Sequence, residues 1–438
     1  MDIKRHPIIS GTMILTAAGL FTRIVGFYYK IFLSRNIGAE ALGIYQLSMP
    51  FLSIGIAVTC SGIHTSISRY VAACSGGEQR ETASSYLAAG LLMSLGICGL
   101  LFMPCYLYCD KIAAFFFHEP SCAPILRILI FAIPLECIHS CINGYYYGKQ
   151  KANIPAFGQC IEQIVRVLCV YLIFCICQKE NIPFRETHAA LGLLLGEIAA
   201  TIYFVTMISL ERFSRPRLKT TVSAGRRLAV MSYPITLNRV SLNTLNGLEN
   251  TFIPERLIAF GFSSTEALSV YGVFSGMAMP VILFPNVLSN SVSVMLLPMI
   301  AKAAGERRFS YISRTIRLAF FLCMLLGFGC SLGFFLLGNF VGDFLFGNEL
   351  AGDFIRLLCW ICPFLFLNAT FSSILNGLGQ TKATFLISMT GSLTRLIFIY
   401  FSIPAVGFQG YVLGILISQV VTAFLSYRKL TGYLAKQP

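Results

Sequence analysis

Ile125-Leu-Arg-Ile-Leu-Ile-Phe-Ala-Ile-Pro134 and Phe354-Ile-Arg-Leu-Leu-Cys-Trp-Ile-Cys-Pro363 are one pattern written twice. They repeat at an offset of about 229 residues, the separation of Arg127 from Arg356 and of Pro134 from Pro363. At the same offset Arg166 meets Arg395 and Tyr171 meets Tyr400. At a slightly smaller offset Glu40-Ala-Leu-Gly-Ile-Tyr45 meets Glu266-Ala-Leu-Ser-Val-Tyr271. One such match could be chance, but three in the same order mark a duplication of half the chain. Each copy is a train of apolar runs of about 20 residues, the length that spans a hydrocarbon core as helix. Lipid offers no partner to unpaired backbone groups, so the runs must be helices. They are too long and too evenly apolar for a barrel, whose strands alternate inward and outward residues.

The runs place about twelve spans. The first six lie near residues 8–33, 42–66, 86–108, 125–147, 155–177 and 189–210. The second six lie near 230–253, 268–299, 316–340, 354–375, 383–403 and 407–427. The expected fold is an all-α membrane protein of two pseudo-symmetric six-helix lobes, 1–210 and 229–438, joined by a basic linker at 211–228. An even number of spans per copy makes the halves parallel repeats about an axis along the membrane normal. Two lobes that rock about a shared cavity suit a transporter. No segment is large enough to form a soluble catalytic domain.

Of the 438 residues 56% are hydrophobic and 12% charged, about half the charge of a soluble domain. Mean hydropathy is +0.74. The net charge of +14 would suggest nucleic acid until the charges are placed. With both termini cytoplasmic, only Arg35, Lys111, Lys179, Arg185 and Arg256 fall in external loops. That is the positive-inside bias of a multi-pass protein of the cytoplasmic membrane. The basic loops 212–227 and 302–317 then face anionic headgroups, making membrane lipids the partner and nucleic acid an excluded one. Lys4 and Arg5 precede an apolar run without a small-x-small cleavage site, so the first helix is expected to be retained. The 16 cysteines scatter through the spans. Cys359-Trp-Ile-Cys362 has no histidine beside it and is expected to be packing. No metal site or cofactor is expected, and Gly144-Tyr-Tyr-Tyr-Gly-Lys149 is too short between its glycines for a nucleotide loop.

Charge inside the bilayer costs roughly 2.5–3.5 kcal/mol per central Arg or Lys, so each case needs a reason. Arg23 lies in the first span and Arg239 in the seventh, the first spans of their halves. The seventh span also carries Asn238, Asn243, Asn246, Glu249 and Asn250. Residues three and four apart share a face, so Asn243, Asn246 and Asn250 form a stripe with Arg239. Such a face meets a hydrated cavity, the economical reading, or a buried polar interface between helices. Arg166 and Arg395 are symmetry partners, and Glu162 stands one helical turn before Arg166. Glu162, Arg166, Arg395 and His64 are candidates for coupling or for ion pairs that stabilise each lobe. Glu136, His139 and Glu197 are further embedded ionisable groups; His139 could titrate near neutrality, with a satisfied core histidine the preferred reading. Pro280, Pro285 and Pro298, with Gly272 and Gly276, and Pro50 with Gly55 and Gly62, mark hinges or ordinary packing kinks.

These residues resemble a known family. Gly11-Thr-x-Ile-Leu-x-x-Ala-Gly-x-x-x-Arg23-Ile-x-Gly-Phe27 and Ser34-Arg-x-Ile-Gly-Ala-Glu-x-Leu-Gly-Ile-Tyr45 are similar to the start of the stage V sporulation protein B family. Gly144-Tyr-Tyr-Tyr-Gly-Lys-Gln150 and Gln159-x-x-Glu-Gln-x-x-Arg166 extend the likeness, which covers essentially the whole chain. These are polysaccharide-exporter-like members of the multidrug/oligosaccharidyl-lipid/polysaccharide (MOP) flippase superfamily, which includes the MATE transporters. The resemblance implies translocation of an undecaprenyl-pyrophosphate-linked saccharide: a peptidoglycan, spore-cortex or polysaccharide precursor. It also implies proteins of cell-wall synthesis as candidate partners. Lipid II flippases carry a similar Ser/Thr-Arg-x-x-Gly-Phe, here residues 22–27, and an arginine in the second helix where this chain has Ser61-Gly62-x-His64. Some relatives have fourteen helices, the last two forming a lipid groove; this chain stops at twelve. The pyrophosphate would fall to Arg23 and Arg239, and the sugar and peptide groups to Asn238, Asn243, Asn246 and Asn250. The rivals are a drug or cation antiporter, which needs an embedded acid on the first or seventh span, a membrane glycan-processing enzyme, which needs a substantial external loop, and a scaffold.

Overall fold

The computed structural model describes residues 7–74, 82–211 and 218–435. Lys4 and Arg5, and residues 212–217 of the basic linker, lie outside the described residues. The chain divides into two compact units, Met1–Ile37 with Ile44–Gly247, and Gly38–Gly43 with Leu248–Pro438. By contacts the division therefore falls at Gly247, later than the sequence boundary at residue 229. Six residues after the first span also join the second unit.

The helices run α1 (Pro7–Ile56), α2 (Gly62–Cys74), α3 (Ala83–Leu107), α4 (Cys109–Phe116), α5 (Ala123–Gly148), α6 (Asn153–Lys179), α7 (Glu186–Ser209) and α8 (Leu218–Phe260). They continue as α9 (Ser264–Gly272), α10 (Met279–Leu283), α11 (Asn286–Gly305), α12 (Phe309–Phe346), α13 (Glu349–Leu358), α14 (Cys362–Gly377), α15 (Thr381–Phe401), α16 (Ile403–Val406) and α17 (Phe408–Leu434). The fold is all-α. Ten helical stretches among the described residues are long and apolar enough to cross a membrane, against about twelve expected. One of the ten, Met13–Cys74, takes in the first two expected spans. Gly38 at φ 82° breaks α1 between them, a backbone conformation that only glycine adopts freely. The helix at the seventh expected span, α8, is not among the ten because the charged and amide groups along it lower its hydropathy. The helix also starts at Leu218, so the last eleven or so residues of the expected linker are helical.

Local signals end the helices where the physics requires. Thr82 caps α3 by accepting from the Ser85 amide. Ser263 and Glu266 form a reciprocal capping box on α9, satisfying amides that have no intrahelical partner. Asn348 caps α13, and Gly347 closes α12 at φ 61°. The expected kinks appear as π segments. Ala57–Ser61 follows Pro50 in the first unit, and Val273–Ala278 precedes Pro280 in the second. A proline removes a backbone donor, and a wide turn is one way to reabsorb the mismatch. At Pro285 the helix stops and restarts as α11.

Each unit repeats the same local scheme: α6 and α5 pack on α7, as α15 and α14 pack on α17. In the first unit Tyr86, Tyr145, Tyr146 and Phe204 close a core around Ile63 and Ile67. In the second, Gly43 and Gly272 let two backbones cross: a methyl at Gly272 would lie 2.0 Å from the Ala39 carbonyl oxygen, and one at Gly43 2.2 Å from that of Leu268. Only backbone movement could relieve either clash, so G272A should lose at least about 1–3 kcal/mol. Its abundance in membranes is expected to fall, while G329A, which meets open space, keeps wild-type abundance. Equal abundance of the two variants would refute the close crossing.

At the end of α7, Glu211 accepts from Lys149 Nζ at 2.7 Å and Lys151 Nζ at 3.1 Å. Burial pushes this carboxyl up, the two lysine hydrogen bonds push it down, and the net position is below the usual carboxylate range. The stability it contributes is therefore complete above the unfolded carboxylate value and lost as pH falls through the lower folded value. Thermal unfolding of wild type and E211Q should differ at neutral pH and converge as the pH falls below the ordinary carboxylate range.

Candidate functional site

Helix α8 carries the first group of candidates. Its early turns lie against α2 with almost no spacing: a methyl at Gly62 would sit 2.2 Å from Thr236 Oγ1 and 2.6 Å from the Ser232 carbonyl oxygen. The π segment before Gly62 turns Ser61 toward α8, where its Oγ accepts from Arg239 Nη1 at 2.5 Å. Asn243 donates to the Ser53 carbonyl at 2.9 Å. Asn243 is thus a tie between helices, an arrangement closer to the buried-interface alternative than to a free cavity wall. Arg239 and Asn246 remain accessible at the protein surface, and Asn238 and Asn250 are half-buried. The Asn238 Oδ1 is buried with no hydrogen-bond partner among the described residues. Arg23 is accessible on α1 and makes no ion pair or hydrogen bond among the described residues. Among the described residues no hydrogen bond or ion pair joins Arg23 to Arg239, whose bond goes to Ser61. His64 stacks edge-on against Tyr147, centroids 5.8 Å apart, within electrostatic reach of Arg239.

The second group is buried where α5, α6 and α7 meet. Arg166 pairs with Glu162 one turn away, as their spacing predicts, and its Nη2 lies 3.9 Å from Glu197 Oε1 on α7. On α5, His139 Nε2 lies 2.9 Å from Glu136 Oε2, and its Nδ1 lies 3.5 Å from Glu197 Oε2. One donor atom from each of Glu136, His139 and Glu197 falls within a 4.8 Å span. No metal site was expected from the sequence, and His139 was read as satisfied. Its Nδ1 and the facing Glu197 Oε2 are both buried without a hydrogen-bond partner among the described residues, which favours the titrating alternative. The signal available in the sequence was the i, i+3 spacing of Glu136 and His139.

The third group surrounds Arg395. Its Nε and Nη2 hold both oxygens of Glu249 at 2.8 and 2.9 Å, and it also donates to Ser418 and Ser392. Arg395 has no acid on its own helix, and α8 supplies one. A cavity of about 360 Å³ lies beside the π segment, lined by Phe51, Val58, Cys98, Leu101, Phe102 and Phe116 among others. Its wall offers nothing to a charged or sugar headgroup. Cys359 and Cys362 are buried free thiols.

The geometry therefore offers accessible, unopposed arginine at two places and two buried ion clusters. Against known proteins, a family model described as MatE matches residues 256–401. The chain is 26% identical to stage V sporulation protein B of Bacillus subtilis (strain 168), over 97% of this chain and 83% of that protein. It is 19% identical to lipid II flippase MurJ of the same organism, over 98% and 84%. Among solved structures, it shares its fold with an inward-facing multidrug resistance MATE transporter of the MOP superfamily, at TM-score 0.77 and 15% identity over 97% and 98% of the chains. It also shares its fold with lipid II flippase MurJ in an inward closed conformation, at TM-score 0.75 and 15% identity over 96% and 87%. A model described as polysaccharide biosynthesis protein matches residues 8–304, more than half of the chain, and the protein belongs to that family, as a multi-pass membrane protein with the fold of these solved transporters.

Proposed function

We propose that the protein moves an undecaprenyl-pyrophosphate-linked saccharide across the cytoplasmic membrane by alternating access, as a flippase without an enzymatic step. The observation that carries this reading is Arg239: an accessible guanidinium on a membrane helix, bonded only to a serine hydroxyl and opposed by no carboxylate among the described residues. Arg23 has the same character on α1. Arginine presents a planar, permanently charged fork that matches a pyrophosphate. Asn246 is accessible two turns further along α8, where it can hydrogen-bond sugar hydroxyls. The polyprenyl tail can stay in lipid while the headgroup crosses. The likeness to a sporulation protein and to a lipid II flippase favours a peptidoglycan or spore-cortex precursor.

A drug or cation antiporter shares the fold and is the second reading. It needs a free acid on the first or seventh span. The acid on α8 near that place, Glu249, is 5% exposed and taken up by Arg395. The deciding experiment is reconstitution in liposomes with labelled undecaprenyl-pyrophosphate saccharides, scoring exposure on the far leaflet. Exposure of one saccharide class supports the flippase; drug efflux with no saccharide exposure supports the antiporter.

A further inference from the structure

We infer that the Glu136–His139–Glu197 cluster is a proton-binding site built into the first half alone, the place where the transport cycle takes up one proton. A neutral imidazole carries a single N–H. The 2.9 Å contact with Glu136 puts that hydrogen on Nε2. Nδ1 then presents a lone pair to a carboxylate oxygen of Glu197 3.5 Å away, with both atoms buried and unpartnered. Two acceptors facing each other in a dry site are costly. One positive charge between them removes the conflict. A proton adding to Nδ1 makes an imidazolium flanked by two carboxylates. A metal ion is the competing occupant, since one ligand atom from each of Glu136, His139 and Glu197 lies within 4.8 Å of the others, but three protein ligands there would require breaking the 2.9 Å contact that already orients the ring on Glu136 or turning that carboxylate.

The surrounding charges leave the same deficit. From α6 come Glu162 and Arg166, from α7 Glu197, and from α5 Glu136 and His139. Around them, α1 contributes the Tyr29 and Tyr45 hydroxyls beside Arg166, α2 contributes His64, and α8 contributes Arg239 beside His64. Three carboxylates thus share one buried permanent cation, Arg166, with Arg239 further out.

The second half shows what the same positions look like without this deficit. At the repeat offset, Glu136 becomes Leu365, His139 becomes Asn368, Glu162 becomes Gly391 and Glu197 becomes Ser426, while Arg166 stays as Arg395. Asn368 donates to Gln419 and Thr422. Arg395 is matched one to one by Glu249. The duplicated position is therefore neutral in one half, where Asn368 donates to Gln419 and Thr422 and leaves only its Oδ1 without a partner among the described residues, and titratable in the other, where a ring nitrogen faces a carboxylate. Proton uptake draws the carboxylates of α5 and α7 toward one imidazolium, and proton loss leaves them repelling. The packing of α5 on α7 is thereby made sensitive to protonation. Coupling to transport rests on the reading proposed above; proton binding does not.

The test is nitrogen-15 NMR of histidine-labelled full-length protein in lipid nanodiscs, with H139N to assign the signal. Asparagine is what the second half tolerates at this position. Both nitrogens of His139 are expected to be protonated at pH 7, and E197Q should return the ring to a neutral tautomer. In proteoliposomes that expose the saccharide, a pH difference of one unit should shift the steady-state distribution about tenfold per coupled proton, and H139N should abolish that shift. A neutral His139 in the wild type, or a stoichiometric metal ion that H139N removes, would overturn the proton site. An imidazolium without any saccharide exposure would leave the proton site standing and sink the flippase reading instead.

Discussion

Replacing Arg239 by alanine is expected to abolish saccharide exposure while leaving membrane abundance nearly unchanged. The side chain is accessible, and its one hydrogen bond among the described residues goes to Ser61 Oγ. A neutral partner of this kind contributes about 0.5–3 kcal/mol, and losing it leaves Ser61 a hydroxyl that can turn to its own helix. The fold therefore survives R239A, whereas a pyrophosphate would lose its bidentate partner. R239K keeps the charge without the fork and should retain part of the activity. R23A should behave as R239A does, since Arg23 makes no ion pair among the described residues that its loss could break. Quantitative immunoblotting alongside the liposome assay separates the cases. Activity lost only in proportion to abundance would make both arginines structural.

The parts of the molecule that were legible in sequence are those set by spacing along one chain segment. The apolar runs located most of the helices, but not the start of α8, which begins at Leu218 about twelve residues before its apolar run, nor the breaks between Ser264 and Gly305. Four-residue spacing paired Arg166 with Glu162, and the amide-rich seventh span marked α8 as a helix that could not face lipid alone. Pairings across the chain were illegible. Glu249 and Arg395 stand 146 residues apart, and nothing in either segment names the other. His139 was read as a satisfied core histidine in preference to a titrating one, yet an imidazole has two nitrogens and the second faces Glu197 on α7. Asn243 looked like cavity lining because helical periodicity reports which face a residue shares, not what that face meets. The π segments escaped as well: proline and glycine announce a kink, but whether the chain answers with a wide turn, as at Ala57–Ser61, or a break, as at Pro285, depends on neighbouring helices.

The Glu249–Arg395 pair is where the largest loss of stability is expected. Both oxygens of Glu249 are used, and the two side chains are 7% and 19% exposed. Desolvating such a pair offsets much of its attraction, so the pair itself adds little net stability; removing one partner strands the other charge, at about 3–5 kcal/mol. E249Q should therefore collapse membrane abundance, because the amide cannot neutralise a buried guanidinium. Removing both charges, in E249Q/R395Q, should restore most of it, since two amides of similar size can bond each other and Ser418. Measuring both variants by abundance and by thermal unfolding in detergent gives the coupling directly. The outcome also weighs on function. If E249Q folds as well as wild type and loses only transport, Glu249 is a free carboxylate in the working cycle, which is the requirement of the antiporter. Loss of the folded protein, with recovery in the double variant, makes it a counterion to Arg395 and leaves the buried acids of the first half as the titratable ones.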